Sequence, residues 1–214
     1  MHAAAAPFVR LRVHPNVVTL IGGILAAVAM WPASGGGFWP IVAAVVVGVS
    51  GLFDGLDGAV ATISNRVTVW GGVLDSVVDR LAEVAMLIAL WIAGAPYGVC
   101  VAAGVVSWTL EYARARAVGV GMTRVGVITI GERPTRIAIA VMFLLAAGVY
   151  GDSAHSWLTV GAYAWLATAV IGLGQFLIAA HLGSADEGGD DVGRESDEWQ
   201  TSTRMCGEIG RAHV

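Results

Sequence analysis

The sequence predicts an all-α, polytopic integral membrane protein, with six transmembrane helices preceded by a short helix lying along the membrane surface. Hydrophobic residues make up 57% of the 214 residues and charged residues only 13%; the mean hydropathy is +0.74, a balance unlike that of a soluble domain. Six segments stay apolar for about 20 residues, the length an α-helix needs to cross a hydrocarbon core. The basic residues then sort to one side of those segments, as the positive-inside rule requires.

In chain order, Ala3–Arg12 is expected as the surface helix, and Met1–His14, with Arg10 and Arg12 but no apolar stretch, does not read as a cleavable signal peptide. The spans are expected at Val17–Ala33, Trp39–Ala61, Val67–Ala93, Tyr97–Arg116, Pro134–Tyr150 and Ser156–His181. Asn16, after Pro15, is a candidate N-cap for the first. Gly-rich 33–37 and Gly94–Ala95–Pro96 mark short turns. Arg10, Arg12, Arg66, Arg114, Arg116, Arg124, Arg133 and Arg136 all fall at the N-terminus or in loops two-three and four-five, which makes both termini cytoplasmic in an inner (plasma) membrane. Trp31, Trp39, Trp91 and Trp157 lie at span ends on the other side, the place of interfacial aromatics.

The net charge of −4 averages two unlike regions. Residues 1–183, the expected membrane domain, hold nine Arg and eight acids; residues 184–214 hold three Arg and eight acids. The second region, rich in Gly, Asp, Glu and Ser, reads as an acidic disordered tail. Its last seven residues, Glu208–Val214, match one translation of a widely used sequencing-library adapter, so the tail is given no function. No nucleic-acid partner is expected. Cys100 and Cys206 are too few for a disulfide framework, and Cys100 reads as a small buried hydrophobe.

The chemistry is carried by four aspartates in the second and third spans, spaced Asp54-x-x-Asp57-Gly58-x-x-Ala61 and Gly71-x-x-x-Asp75-x-x-x-Asp79. A carboxylate at membrane depth costs roughly 2.5–3.5 kcal/mol even on the insertion scale, so four together need a partner. Residues three, four and seven apart share a helix face, which aligns each set. With the turn at Ser64–Arg66 making an antiparallel hairpin, Asp57 and Asp75 fall at similar depth, roughly 12–15 Å from it at the helical rise per residue. Oxygen ligands unaccompanied by His or Cys favour Mg²⁺ or Mn²⁺, and shared acids favour two ions. Gly58, Ala61 and Gly71 leave room for a bulky or flat group to approach the backbone; the blander alternative is close helix packing.

This pattern resembles the signature of the CDP-alcohol phosphotransferase (CDP-alcohol phosphatidyltransferase) family, D-x-x-D-G-x-x-A-R, eight residues, G-x-x-x-D-x-x-x-D. Every position matches except Thr62, where the family has Arg. The opening Pro15-Asn16-Val17-Val18-Thr19 is also similar to the start of the family's first span. The resemblance implies metal-dependent transfer of a substituted phosphoryl group from a CDP-linked donor to an alcohol, with release of CMP. Carried over by position, it implies Asp54, Asp57, Asp75 and Asp79 as metal ligands and Asp79 as general base. It places Gly58, Ala61, Thr62 and Gly71 beside the cytidine nucleotide, and it implies a homodimer.

The stretches Tyr112–Ala117 and Gly131–Arg136 are similar to the corresponding region of the actinobacterial phosphatidylinositol phosphate synthase branch. That likeness implies CDP-diacylglycerol as donor and a polyol phosphate, inositol phosphate favoured, as acceptor, its phosphate held by Arg116, Arg133 and Arg136. Phosphatidylglycerophosphate synthesis, or another acceptor within the family, is the alternative. A cation transporter or channel is the alternative from another class, but it would spread its acids along a path rather than crowd them on one hairpin. Glu83, three residues after Arg80, reads as a local structural ion pair, and His181 as an interfacial residue.

Overall fold

The computed structural model describes the backbone of residues 2–122 and 129–211 and the side chains of 6–122 and 129–182. Every regular element among these residues is helical: α1 (His2–Arg10), α2 (Pro15–Val28), α3 (Met30–Ala33), α4 (Trp39–Ile63), α5 (Val69–Ala93), α6 (Tyr97–Gly119), α7 (Arg133–Val149) and α8 (Ala154–Arg211), the last preceded by a short 3₁₀ turn. The helix ends fall within a few residues of those predicted through α7. The expected acidic tail falls on residues whose side chains lie outside the described set, as does Arg124.

Pro15–Ala33, Trp39–Ile63 and Gly151–Leu182 are long and apolar enough to cross a membrane. The others fall short of that measure for visible reasons. α5 carries Asp75, Asp79, Arg80 and Glu83, α6 ends in Glu111, Arg114 and Arg116, and α7 is 17 residues long. Large aliphatic side chains face outward all round the bundle, among them Leu52, Val101, Leu81 and Ile178. That surface suits lipid rather than water.

The interior is built largely from alanine. Ala26, Ala43, Ala44, Ala89, Ala103, Ala140 and Ala162 are wholly buried, with Trp165, Met86 and Leu144 filling the space between them. Small residues let helix backbones approach where lipid supplies no hydrophobic drive, and buried hydroxyls add bonds across helices. Ser50 Oγ donates to the Gly22 carbonyl at 2.7 Å, and the Trp165 indole N–H donates to Ser107 Oγ at 3.2 Å.

α2 corrects the expected hairpin. α4 and α5 touch each other little, and α2 packs extensively against both. Two adjacent glycines make this possible: a Cβ on Gly22 would meet Phe53 of α4 at 3.3 Å, and one on Gly23 would lie 2.6 Å from Val78 of α5. The start of α2 also differs from expectation. His14 is the N-cap, its Nδ1 accepting from the Asn16 N–H at 3.3 Å, and Pro15 takes the first helical position. Proline suits that position because its missing N–H would be unpaired there anyway.

α7 is held by two devices. At its entrance, Gly131 lies against Gly172 of α8 so closely that a Cβ on Gly172 would sit 3.0 Å from the Gly131 Cα. The Ile130 N–H also donates to Gln175 Oε1 at 3.1 Å. One turn in, Arg136 is completely buried, its Nη2 reaching Glu83 of α5 at 3.1 Å and Glu111 of α6 at 2.8 Å. Arg80 completes the cluster, 3.0 Å from Glu83.

Gly172→Val forces two backbones apart and is expected to destabilise the protein by about 1–3 kcal/mol. Arg136→Leu removes the buried cation that bridges Glu83 and Glu111, leaving them to Arg80 and Arg114, and is expected to cost about 3 kcal/mol or more. Thermal unfolding in detergent should show both midpoints lowered, Arg136→Leu the further; a wild-type midpoint for either would contradict the packing role given to that residue.

Candidate active site

The carboxylates of Asp54 on α4 and of Asp75 and Asp79 on α5 converge, one oxygen of each lying within 4.8 Å of the others. The helical phase explains the pairing within α5, since residues four apart are neighbours on one face. Asp54 joins them from α4, the helix that the turn connects to α5. That turn is tight: the Arg66 N–H bonds the Ala61 carbonyl at 2.9 Å, the Asn65 N–H bonds Thr62 at 3.3 Å, and Asn65 has a φ of +51°. These two bonds and the left-handed residue form a Schellman motif.

Asp57 stands apart from the other three. It is buried, with Oδ2 accepting from Thr19 Oγ1 of α2 at 2.6 Å and Oδ1 from the Gly58 N–H at 2.6 Å. The four predicted acids are therefore arranged as three plus one, and the fourth is steered by a threonine.

Two cavities flank the carboxylates. The first, of about 230 Å³, is lined by Asp57, Gly58, Ala61, Thr62, Gly71 and Asp75, with Asn16 and Thr19 of α2 closing it. All the small motif residues thus face one space. A Cβ on Gly58 would meet nothing within 4 Å, so that glycine is not held by helix packing. One on Gly71 would lie 3.0 Å from Thr68 Oγ1 and 3.3 Å from Asn16 Oδ1. The second cavity, about 460 Å³, opens between α5 and α6 and is lined by Asp79, Arg80, Glu111, Tyr112 and Arg114 among others. Asp75 and Asp79, one helical turn apart, each face a different cavity.

The arginines take three different places. Arg133, at the first turn of α7, inserts its guanidinium among the acids and ion-pairs with both Asp54 and Asp79. Arg136 is sealed between Glu83 and Glu111. Arg116 is exposed at the last turn of α6 and makes no ion pair among the described residues. Its neighbour Arg114 instead reaches inward, donating to Thr129 Oγ1 at 3.1 Å.

Sequence reasoning missed Thr19 and Asn16 as lining residues, and Arg80 and Arg114 in the second cavity. The family-like Pro15–Thr19 opening held the signal for the first pair; for the second, the signal was the position of Arg80 directly after Asp79. Glu83 behaves as predicted, as half of an ion pair with Arg80.

The donor set suits a divalent cation. Asp75 has no hydrogen-bond or ion-pair partner among the described residues, although its carboxylate points into the acid group. A guanidinium already drawn between Asp54 and Asp79 shows that the group attracts positive charge. Hard carboxylate oxygens without nitrogen or sulfur ligands fit Mg²⁺ or Mn²⁺.

Comparison with known proteins agrees with this geometry. The profile of CDP-alcohol phosphatidyltransferase matches residues 12–180. The archaetidylinositol phosphate synthase of Pyrococcus horikoshii is 32% identical over 156 residues, covering 70% of this chain and 80% of that protein. The crystal structure of Mycobacterium tuberculosis phosphatidylinositol phosphate synthase with CDP-DAG bound superposes with a TM-score of 0.67 at 26% identity, covering 84% of this chain and 92% of that one. A structure of the same enzyme in complex with manganese and citrate gives a TM-score of 0.67 at 27% identity, over 83% and 87% of the two chains. With the motif on α4 and α5 and a profile match that runs from the start of α2 into α8, this chain belongs to the CDP-alcohol phosphatidyltransferase family and is a transferase of that membrane-embedded class.

Proposed function

We propose that the protein transfers a phosphatidyl group from CDP-diacylglycerol to a polyol phosphate, inositol phosphate foremost, and releases CMP in phospholipid synthesis. The observation that carries this reading is the position of three convergent carboxylates between two cavities, one lined by glycines and the other by arginines. A donor nucleotide in the first and an acceptor in the second would meet at Asp75 and Asp79.

In this reading Asp54, Asp57 and Asp75 carry most of the hold on the cation, with Asp79 at its edge, and Gly58, Ala61, Thr62 and Gly71 border the cytidine nucleotide. When bound, two Mg²⁺ or Mn²⁺ ions would screen the diphosphate and stabilise the leaving CMP. Thr19 fixes the Asp57 carboxylate for that task by its 2.6 Å hydrogen bond. Asp79 faces the acceptor cavity and takes the hydroxyl proton. The acceptor oxygen attacks the phosphorus that carries the diacylglycerol; the bond from that phosphorus to the bridging oxygen breaks, and CMP departs with the electron pair.

Arg133 supports an acceptor bearing a phosphate, because a guanidinium offers two parallel donors to such an oxyanion. Arg136 and Arg116 share that assignment unequally. Arg136, fully buried between Glu83 and Glu111, would hold the start of α7 in place rather than touch the phosphate, whereas Arg116 is exposed at the last turn of α6. Six spans, a multi-pass inner-membrane location, and cytoplasmic termini and active site complete the reading, supported by arginines at the ends of α4, α6 and α7 that border the site. A homodimer is proposed on the family resemblance alone.

Purified protein given CDP-diacylglycerol and Mn²⁺ or Mg²⁺ is expected to release CMP with inositol phosphate and little with glycerol phosphate or free alcohols. Release with glycerol phosphate instead would reassign the acceptor, and no release with any acceptor would overturn the enzyme assignment. Asp79→Asn is expected to lower turnover by about 10²-fold or more, the usual scale for a lost general base, while Mn²⁺ and CDP binding stay near wild type. Equal loss of Mn²⁺ binding, measured by electron paramagnetic resonance, would make Asp79 chiefly a ligand.

A further inference from the structure

Thr62 occupies the one motif position at which this chain departs from its family. It lies on the last turn of α4, exposed, with Oγ1 donating to the Gly58 carbonyl at 2.8 Å, and so offers no positive charge to the glycine-lined cavity. The cavity is nevertheless not without a cation. Arg66 lines it and is the basic residue that does so among the described residues.

The route by which Arg66 arrives there is specific. Four residues beyond Thr62, a continuing helix would carry it a turn further along the axis of α4. Instead α4 stops at Ile63 and the left-handed Asn65 reverses the chain, so that the Arg66 N–H bonds back to Ala61, the residue preceding Thr62. Arg66 is thereby kept beside the last turn of α4, on the cavity that Thr62 also lines. Its side chain is exposed and forms no ion pair among the described residues, which leaves the guanidinium free for a ligand. A second positive feature faces the same space. α5 begins there, capped by Thr68 Oγ1 accepting from the Gly71 N–H at 3.0 Å, and Gly71 and Gly72 line the cavity. A helix N-terminus favours an anion, and an adjacent arginine adds a bidentate donor.

We infer that Arg66 replaces the missing motif arginine, contacting the phosphate-bearing nucleotide in the cavity between α2, α4 and α5. This rests on the nucleotide reading given above and adds to it the residue that supplies the side-chain cation. Thr62 and Arg66 line the same cavity, so an arginine introduced at 62 should serve in place of the one at 66.

The test is calorimetric titration of CDP, with saturating Mn²⁺, into the full-length protein in detergent. Arg66→Ala is expected to weaken CDP binding about tenfold, the scale of one charge-assisted hydrogen bond at an open site. Thr62→Arg in that background is expected to recover most of the loss. Wild-type affinity in Arg66→Ala, or no recovery in the double variant, would overturn the inference while leaving the nucleotide cavity standing. Gly58→Leu separates the two failures, since it fills the cavity and keeps Arg66. If it leaves CDP affinity intact, or if the wild type binds no CDP, the nucleotide reading fails and the role of Arg66 falls with it.

Discussion

Charge held inside or at the edge of an apolar bundle is the constraint on which this fold depends. Asp54, Asp57, Asp79, Glu83 and Glu111 lie on helices whose outer faces are aliphatic, and each is answered from another part of the chain. Arg133 answers Asp54 and Asp79; Arg136 and Arg80 answer Glu83 and Glu111; Thr19 and the Gly58 N–H answer Asp57. Because these partners come from α2, α5 and α7, satisfying the acids also decides which helices must touch. A buried ion pair adds little net stability over apolar packing, but losing one partner is costly. The acids therefore act as specifications for the fold more than as sources of its stability.

The glycines divide by what they face. Gly22, Gly23, Gly131 and Gly172 are fitted against neighbours that a methyl group would displace, whereas Gly58 opens on the cavity. One residue type thus brings helices together in some places and keeps space between them in others. Only the three-dimensional surroundings separate the two uses.

Much of the helix order was legible in the sequence, because apolar segment length and turn residues report directly on where a helix begins and ends. The motif spacing likewise put Asp75 and Asp79 on one face, since helical phase is a local property. What sequence could not give was adjacency between helices far apart in the chain. The wedging of α2 between α4 and α5 depends on two glycines that look unremarkable in an apolar run. The Thr19–Asp57 bond joins residues 38 apart. The positive-inside rule made Arg114, Arg116, Arg133 and Arg136 look equivalent, yet packing sends one to the acids, one into a sealed pair of glutamates, one to Thr129 and one to the rim.

The sequence order of the charge partners sets a timetable for assembly. Asp79 precedes Arg133 by 54 residues and Asp54 precedes it by 79. At about 5–20 residues per second of synthesis, the acids of α4 and α5 emerge roughly 3–11 s or more before the arginine that answers them. During that interval the growing chain carries its carboxylates with only Arg66 and Arg80 close by in sequence. The arrival of α7 is thus the step that closes the electrostatic account of the bundle, and a chain ending before it would hold the acids of α4 and α5 without Arg133 and Arg136.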